Sequence, residues 1–291
     1  MLKSRTPIFA LLTSAFLALP CYAFAQDSED ETTDASAETE APQQDDVSKA
    51  LDSTATQWSF QFAWQGTEWK DDMVNGQTRP PGHDDFLQLR VVAPLEYDTF
   101  TILPRLTLRH YKNKSTGKTG IGNTELFGLI IPKKWDWGSG RMGLGPLVTF
   151  PGNEDVARDE WGYGLAGAIV NTSGNWFYGV LLTQSWRSVD PNNLPAGTSD
   201  TNPLGIAPFL NFQLGGGWYV GNGDMVIQYD WDSNEVYMPI GVRLGKVIAG
   251  KKGSWNIYAE WQTSLIYDDW PGSAKDQSFR FNITKTLPAG F

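Results

Sequence analysis

Cysteine and histidine are scarce in this 291-residue sequence, which has one cysteine, Cys21, and two histidines, His83 and His110. Cys21 lies in an N-terminal segment that we expect to be removed, so the mature chain has no disulfide framework. A zinc site is also unfavourable, because cysteine and histidine are its usual ligands. We therefore predict no bound metal and no cofactor.

Long apolar runs are missing after the first 25 residues. Residues 1–25 have the pattern of a Sec signal peptide, with Lys3 and Arg5, the apolar run PIFALLTSAFLAL and the cleavage site Ala23-Phe24-Ala25. No later run is long enough for a transmembrane helix. If the mature chain spans a membrane, we expect it to do so without helices.

Basic residues are also fewer than acidic ones, 23 against 33, which gives a formal net charge of -10. Residues 26–56 hold ten acidic residues and one lysine, and they offer almost nothing to bury. We predict an acidic, disordered periplasmic linker here, with a plug or a partner-binding tail as the alternative. Residues 57–291 are nearly balanced in charge and have no basic stripe that would suit nucleic acid.

Strict alternation of apolar and polar residues dominates the remainder. In QWSFQFAWQG, residues 57–66, every second residue is a large apolar one. This period of two is typical of β-strands and recurs in twelve segments up to Ile283. The connections between the segments alternate between short and long, apart from a brief one near residues 232–234. Short turns on one side and long loops on the other are the plan of an outer-membrane barrel.

The sequence therefore predicts an all-β fold, a single twelve-stranded antiparallel transmembrane β-barrel over residues 57–291 in the cell outer membrane. A soluble sandwich would also alternate, but isolated arginine and glutamate residues in mid-strand suit a wet lumen. Tryptophan and tyrosine at the strand ends indicate two aromatic girdles at the lipid interfaces. We expect the lipid bilayer and, during biogenesis, the barrel-assembly machinery as partners, the latter reading the C-terminal aromatic residues.

Charged residues on the polar faces of the strands are the candidate functional residues. Alternate residues of a strand point to the same side, and we call this rule parity. Parity predicts that ten charged side chains point into the lumen: Arg90, Arg105, Arg109, Glu125, Arg141, Asp224, Asp230, Arg243, Glu260 and Arg280. Interlocked salt bridges could fill a narrow barrel. Alternatively, the same residues could line a polar path, in which a ring of arginines selects anions.

Three other motifs suggest chemistry but have simpler interpretations. Residues 162–167 spell G-x-G-x-x-G, but no helix is expected after them, so we interpret them as a glycine-rich strand rather than a dinucleotide site. The acidic stretch DWDSNE, residues 230–235, resembles a calcium ligand set without an EF-hand's glycine and distal glutamate, and we favour a tight polar turn. His83 and His110 have no serine or aspartate at a hydrolase spacing, so we predict no catalytic residue.

Several short stretches resemble a bacterial family labelled "neuromedin U" and grouped with a meta-pathway phenol-degradation family. They are TGIGNTEL at 119–126, GLGP at 143–146, WGYG at 161–164, WFYG at 176–179, PFL at 208–210 and YDW at 229–231. The family pattern usually has aspartate where Asn123 stands. The resemblance covers most of residues 100–287 and implies an outer-membrane barrel that moves small compounds, aromatic or hydrophobic ones among them.

These observations predict a channel or transporter for small solutes rather than an enzyme. The alternative is a structural or interaction barrel whose lumen is filled by salt bridges and has no open pore. Conductance in a bilayer separates the two hypotheses.

Overall fold

The computed structural model describes residues 46–290 apart from 53, 71–72, 75–76, 79–82, 115 and 188–201. The expected signal peptide, residues 1–25, and most of the expected linker lie outside the described residues. One helix, α1 (Asp46–Leu51), precedes the strands. Among the described residues, no helix is long and apolar enough to cross a membrane.

Seventeen strand segments and one short 3-10 helix, Lys133–Trp135, follow. The strands are β1 (Gln57–Trp69), β2 (Met73–Val74), β3 (Gln77–Thr78), β4 (His83–Val92), β5 (Leu95–Glu96), β6 (Phe100–Asn113), β7 (Thr119–Ile121), β8 (Thr124–Pro132), β9 (Gly140–Phe150), β10 (Gly162–Ser173), β11 (Trp176–Arg187), β12 (Leu204–Gly215), β13 (Trp218–Gly221), β14 (Ile227–Tyr229), β15 (Val236–Ile248), β16 (Trp255–Ile266) and β17 (Lys275–Pro288).

The long strands form a closed antiparallel barrel of twelve strands, which confirms the predicted fold class. The strand order is β1, β4, β6, β8, β9, β10, β11, β12, β13 with β14, β15, β16 and β17. β13 and β14 are two pieces of the ninth barrel strand, because both pair with β12 and with β15. The first and last strands close the barrel in a continuous register that runs from Gln57 opposite Pro288 to Glu68 opposite Gln277.

Side-chain direction alternates along the strands as the sequence indicates. In β1, Phe62 and Trp64 are exposed on the outer surface, whereas Gln61, Ala63 and Gln65 between them are buried inside. The outer surface carries a large apolar area formed by leucine, isoleucine, valine, phenylalanine and tryptophan side chains from most strands. This outer apolar face is the surface that contacts lipid in an outer-membrane-type barrel.

Exposed tryptophans lie at both ends of the barrel, as the girdle prediction requires. Trp137, Trp176, Trp218 and Trp255 lie near the short turns, and Trp161, Trp186 and Trp231 lie near the long loops. Lys246 lies over Trp218, and Lys285 lies over Trp255. Trp270 differs from the prediction, because it is buried against Tyr237 within the last long connection rather than in a girdle.

Short turns gather at one end of the barrel, which we call the short-turn end. The tightest turn joins β12 to β13, where Gly215, Gly216 and Gly217 all have positive φ angles of 59° to 96°. Only glycine adopts this backbone conformation readily at consecutive positions. Both termini of the barrel, Gln57 and Pro288, also lie at the short-turn end.

Helix α1 packs inside the short-turn end, so residues 46–51 differ from the disordered linker that the sequence predicted over residues 26–56. Residues 26–45 of that linker lie outside the described residues. Ala50 is buried in a cluster with Tyr219, Val247 and Tyr258, and Val47 and Leu51 pack against the same cluster. The apolar residues of VSKAL are spaced to face one way on a helix, so this short stretch has something to bury.

Replacing Phe62 with arginine should destabilise the barrel by about 2–4 kcal/mol, because a charged side chain in the middle of a lipid-facing strand loses its hydration. Phe62 is 60% exposed at the centre of β1. The measurement is the free energy of unfolding in lipid vesicles by denaturant titration. Thr116→Arg in an exposed loop is the control, and an equal cost for both variants would contradict a lipid-facing Phe62.

Candidate functional site in the barrel lumen

A cavity of about 680 Å³ occupies the barrel interior. It extends from Ala50, Leu51 and Asp52 at the short-turn end to Asp84 and Arg158 near the long loops. Its basic lining residues are Arg90, Arg105, Arg109, Arg158, Arg187, Arg243, Lys275 and Arg280, and its acidic ones are Asp52, Asp84, Glu125 and Asp224. The described lining therefore has more positive than negative groups.

Asp224 is the carboxylate around which three of the arginines gather. Its Oδ1 accepts a hydrogen bond from Arg243 Nη2 at 2.9 Å. Its Oδ2 lies 3.6 Å from both Arg90 Nη1 and Arg280 Nη2. One negative group thus partly neutralises three guanidinium groups inside the barrel.

Asp224 reaches the lumen because the ninth barrel strand is interrupted between β13 and β14. Gly223 has a positive φ of 81°, and a Cβ atom there would lie 2.7 Å from Glu260 Cδ. Only glycine fits this backbone turn and this close approach. The interruption also breaks the alternation, so Met225 lines the cavity together with Asp224, although neighbouring residues of a regular strand point to opposite faces.

Glu260 binds Arg243 on the side away from the cavity and is itself almost fully buried. Its Oε2 accepts hydrogen bonds from Arg243 Nη2 at 2.7 Å and Nε at 3.1 Å, and from the Asp224 backbone N–H at 3.0 Å. Gln262 donates to the other carboxylate oxygen. The Arg243 guanidinium also stacks 3.9 Å from the ring centre of Tyr258, which fixes it in one position.

Amide side chains satisfy much of the remaining donor capacity. Arg90 Nη1 donates to Gln61 Oε1 at 3.0 Å, and Arg280 Nη1 donates to Gln65 Oε1 at 3.2 Å. These glutamines are the polar residues of β1 that alternate with its outward aromatic ones. A buried arginine depends on such partners, because an unpaired polar group is costly away from water.

Arg109 and Arg105 lie on β6, which pairs with the strand of Arg90, β4, and they have fewer partners than Arg90. Arg109 Nε donates to Gln88 Oε1 at 3.1 Å, and its Nη1 lies 4.0 Å from Glu125 Oε2. Arg105 makes no ion pair with a described residue, and its guanidinium lies 5.0 Å from the ring centre of Phe127. Arg105 therefore stands where the charged wall ends.

An apolar wall faces the lumen beyond Arg105, on β4, β6, β8, β9, β10 and β11. Its buried members form one cluster, which comprises Val92, Leu103, Phe127, Leu129, Ile131, Leu147, Ala166 and Ala168, with Leu181 packed against it. Parity alone does not find this wall, because inward positions of small barrels are normally read as polar. In β8 the apolar Phe127 shares its face with the charged Glu125, and in β6 Leu103 shares its face with Arg105, so the sequence does carry a sign of this wall.

Seven of the ten parity-predicted residues border this cavity, and three lie elsewhere. Glu260 is behind Arg243 and outside the cavity lining. Arg141 lies near α1, with its Nη2 3.7 Å from Asp52 Oδ2, and lines a separate cavity at the short-turn end. Asp230 follows β14 and caps the next turn, accepting hydrogen bonds from Ser233 Oγ at 2.7 Å and the Ser233 backbone N–H at 3.0 Å.

Sequence reasoning missed Lys275, Arg158 and Arg187, which also line the cavity. Lys275 Nζ donates to Gln262 Oε1 at 2.8 Å. Arg158 belongs to a loop that folds over the barrel interior, and such a position has no parity signal. Arg187 is the last residue of β11 and shares the inward face of Thr183 and Ser185, so strict extension of the parity rule would have found it.

Asn123, where the resembling family usually has aspartate, joins two of the long loops. Its Nδ2 donates to the backbone carbonyls of Phe150 at 3.0 Å and Arg158 at 2.7 Å. A carboxylate cannot donate, so the amide suits this position better here. In the same loops Lys118 Nζ contacts Asp155 Oδ1 at 2.5 Å, and this hydrogen bond raises the pKa of Lys118.

The three remaining motifs have structural roles. The G-x-G-x-x-G run begins strand β10, which confirms the strand interpretation. Residues 230–235 form a tight turn, as favoured, and no group of three or more potential metal ligands occurs in the described part of the chain. His83 Nε2 lies 2.7 Å from Asp85 Oδ1, and His110 lies on the outer face of β6.

Comparisons with known proteins place the fold among outer-membrane barrels. No protein-family model and no curated protein matches the sequence. The solved structure of the COG4313 outer membrane channel from Pseudomonas putida F1 matches with a TM-score of 0.61 and 14% identity, over 80% of this chain and 96% of that one. At this identity the likeness shows the shared fold alone.

Outer membrane phospholipases also share the barrel architecture, at lower similarity. The Salmonella typhi enzyme with bound calcium matches with a TM-score of 0.42 and 12% identity, and the Escherichia coli enzyme with 0.43 and 13%. Each match covers 80% of this chain and 91% of the other. The expectation that the chain is not an enzyme is corrected on this point, since the barrel neighbours include enzymes. Their similarity is too low to argue for a phospholipase activity here.

Replacing Asp224 with asparagine should destabilise the barrel by about 1–3 kcal/mol, because it leaves three neighbouring guanidinium groups without their shared carboxylate. Denaturant titration in lipid vesicles measures the change in the free energy of unfolding. Asp98→Asn, at an exposed position in a short turn, is the matched control. A neutral Asp224→Asn variant would show that the arginines do not depend on this carboxylate.

Proposed function

We propose that this protein is a channel through which small solutes cross the outer membrane. The observation that carries the proposal is the cavity of about 680 Å³ inside the closed barrel, bordered by charged side chains along one wall. In small barrels the side chains can fill the interior completely. A barrel with a purely structural interior would therefore not be expected to keep a cavity of this size.

The charge of the lining supports a preference for anions. Arginine-rich constrictions attract anions and repel cations through their fixed positive charge. Asp224 and Glu125 offset this charge in part, so the expected preference is moderate rather than absolute.

Aromatic or hydrophobic compounds are the solutes that the resemblance to the phenol-degradation family suggests. The Pseudomonas putida neighbour is an outer membrane channel, which agrees with a role in transport. The apolar wall around Phe127 and Leu147 supports the same solute class, because it gives an apolar body a surface to contact inside the barrel.

Helix α1 supports a closed resting state at the periplasmic end. Its Ser48 Oγ accepts a hydrogen bond from Gln213 Nε2 at 2.7 Å, and Gln57 Nε2 donates to the Lys49 carbonyl at 2.6 Å. Ala50 and Leu51 border the cavity. Passage through the periplasmic end would require α1 to move or a solute small enough to pass beside it.

A structural barrel without an open pore is the second candidate. The observation in its favour is the interlocked group of Asp224, Glu260 and their arginines, together with α1 in the short-turn end. This candidate predicts a folded barrel that carries no current.

In a planar bilayer with a KCl gradient, the purified protein should give steady openings whose reversal potential favours chloride. The double variant Arg105→Gln/Arg109→Gln should lose much of this preference, because it removes two lumen charges. Lys252→Gln in an exposed turn is the control and should not change the reversal potential. A folded barrel that stays silent would contradict the channel and favour the structural candidate.

Deleting residues 46–52 should raise the single-channel conductance several-fold, because the deletion removes α1 from the end of the lumen. The control deletes seven residues from the preceding acidic stretch, 36–42, which shortens the chain equally and keeps α1. The measurement is conductance in symmetric KCl. Equal conductance of both deletions would show that α1 does not obstruct the route.

A further inference from the structure

We propose that the lumen binds small amphipathic anions, in which a carboxylate is joined to an apolar body, at a site formed by Arg105 and the apolar wall. The Arg105 guanidinium would take the carboxylate, and Phe127, Leu147 and Leu181 would contact the apolar body. The proposal rests on the channel function in that it names the solute class.

Arg105 differs from the other arginines in mid-barrel by its lack of polar partners. Arg90, Arg243 and Arg280 share Asp224. The Arg105 Nε atom is buried without a hydrogen-bond partner, and Arg105 makes no hydrogen bond or ion pair with the residues that the structure describes. Because Arg105 is only partly buried and borders the cavity, its terminal Nη groups, rather than the buried Nε, are the donors that a ligand there would meet.

The strand register places Arg105 directly beside the apolar wall. Arg105 lies opposite Phe127 across β6 and β8, and Phe127 lies opposite Leu147 across β8 and β9. Leu181 packs against the same cluster, and all four side chains border the cavity. A positive group and an apolar surface thus meet at one place in the lumen.

This arrangement favours a ligand that carries both properties at once. A planar guanidinium matches the two oxygens of a carboxylate, and this interaction strengthens away from bulk water. An apolar body that covers Phe127 and Leu181 gains from leaving water and also keeps water from the ion pair. Acetate lacks the apolar body, and a neutral aromatic alcohol lacks the charge, so each should bind more weakly.

The size of the cavity agrees with such a ligand. Binding pockets for small molecules usually have volumes of about 300–1,000 Å³, and the lumen falls within that range. A single aromatic ring with a carboxylate would occupy only part of it, leaving room for transit past the Asp224 group.

Calorimetric titration of the purified, folded protein in lipid nanodiscs tests the proposal, with benzoate, acetate and benzyl alcohol as probes. Benzoate should bind at least about tenfold more tightly than the other two, since it alone uses both parts of the site. Equal binding of benzoate and acetate would overturn the apolar contact. Equal binding of benzoate and benzyl alcohol would overturn the role of charge.

Variants assign the binding to the named residues. Arg105→Gln should weaken benzoate binding about tenfold and leave benzyl alcohol unchanged, and Arg105→Lys should keep part of the affinity. Leu181→Asn should weaken benzoate binding with little effect on acetate. Arg141→Gln removes the same charge outside this cavity and is the matched control. Unchanged benzoate affinity in a folded Arg105→Gln variant would overturn the proposal.

The outcomes separate this proposal from the channel function. Calorimetry does not require conduction, so a silent barrel that binds benzoate through Arg105 would keep the binding site and reject the channel. A conducting barrel that binds benzoate no better than acetate would keep the channel and reject the binding site.

Discussion

The pairing of β1 with β17 is the interaction on which the other features depend. A sheet in lipid cannot leave backbone N–H and C=O groups unpaired at an edge, and closure of the barrel removes the edge. Closure also fixes which side of each strand faces outward. Phe62 and Trp64 are therefore on the outer surface, and Gln61 and Gln65 are available inside as acceptors for arginines.

Polar residues inside a closed barrel must then satisfy one another, and here the basic groups outnumber the acidic ones. Asp224 and Glu260 together hold Arg243 rigidly, and Arg90 and Arg280 share what remains of Asp224. The other basic groups of the lining lie on several elements, among them Arg105 and Arg109 on β6 and Lys275 on β17. The electrostatics of the lumen thus follow from how few carboxylates point inward, and not from the net charge of the chain, which is -10.

The strands were predictable from the sequence because every regular strand repeats with a period of two, and lipid on one side keeps that pattern strict. The departures from the prediction are local. Strand alternation places Asp224 in the lumen, but the break at Gly223 brings Met225 there as well, which the alternation does not predict. Helix α1 depends on a cluster with Tyr219 and Tyr258 that exists only after the barrel closes. The Asp230 side chain accepts a hydrogen bond within a turn instead of pointing into the lumen as predicted.

The position of Arg105 favours binding over packing as the purpose of the lumen. A guanidinium group beside Phe127 without a carboxylate is an expensive way to fill space, since an apolar residue of similar volume would avoid the cost of desolvation. Elsewhere in the lumen the same problem is solved by pairing, as at Arg243 with Glu260. The contrast between these two arginines separates the part of the lumen that stabilises the barrel from the part in which we propose that a ligand binds.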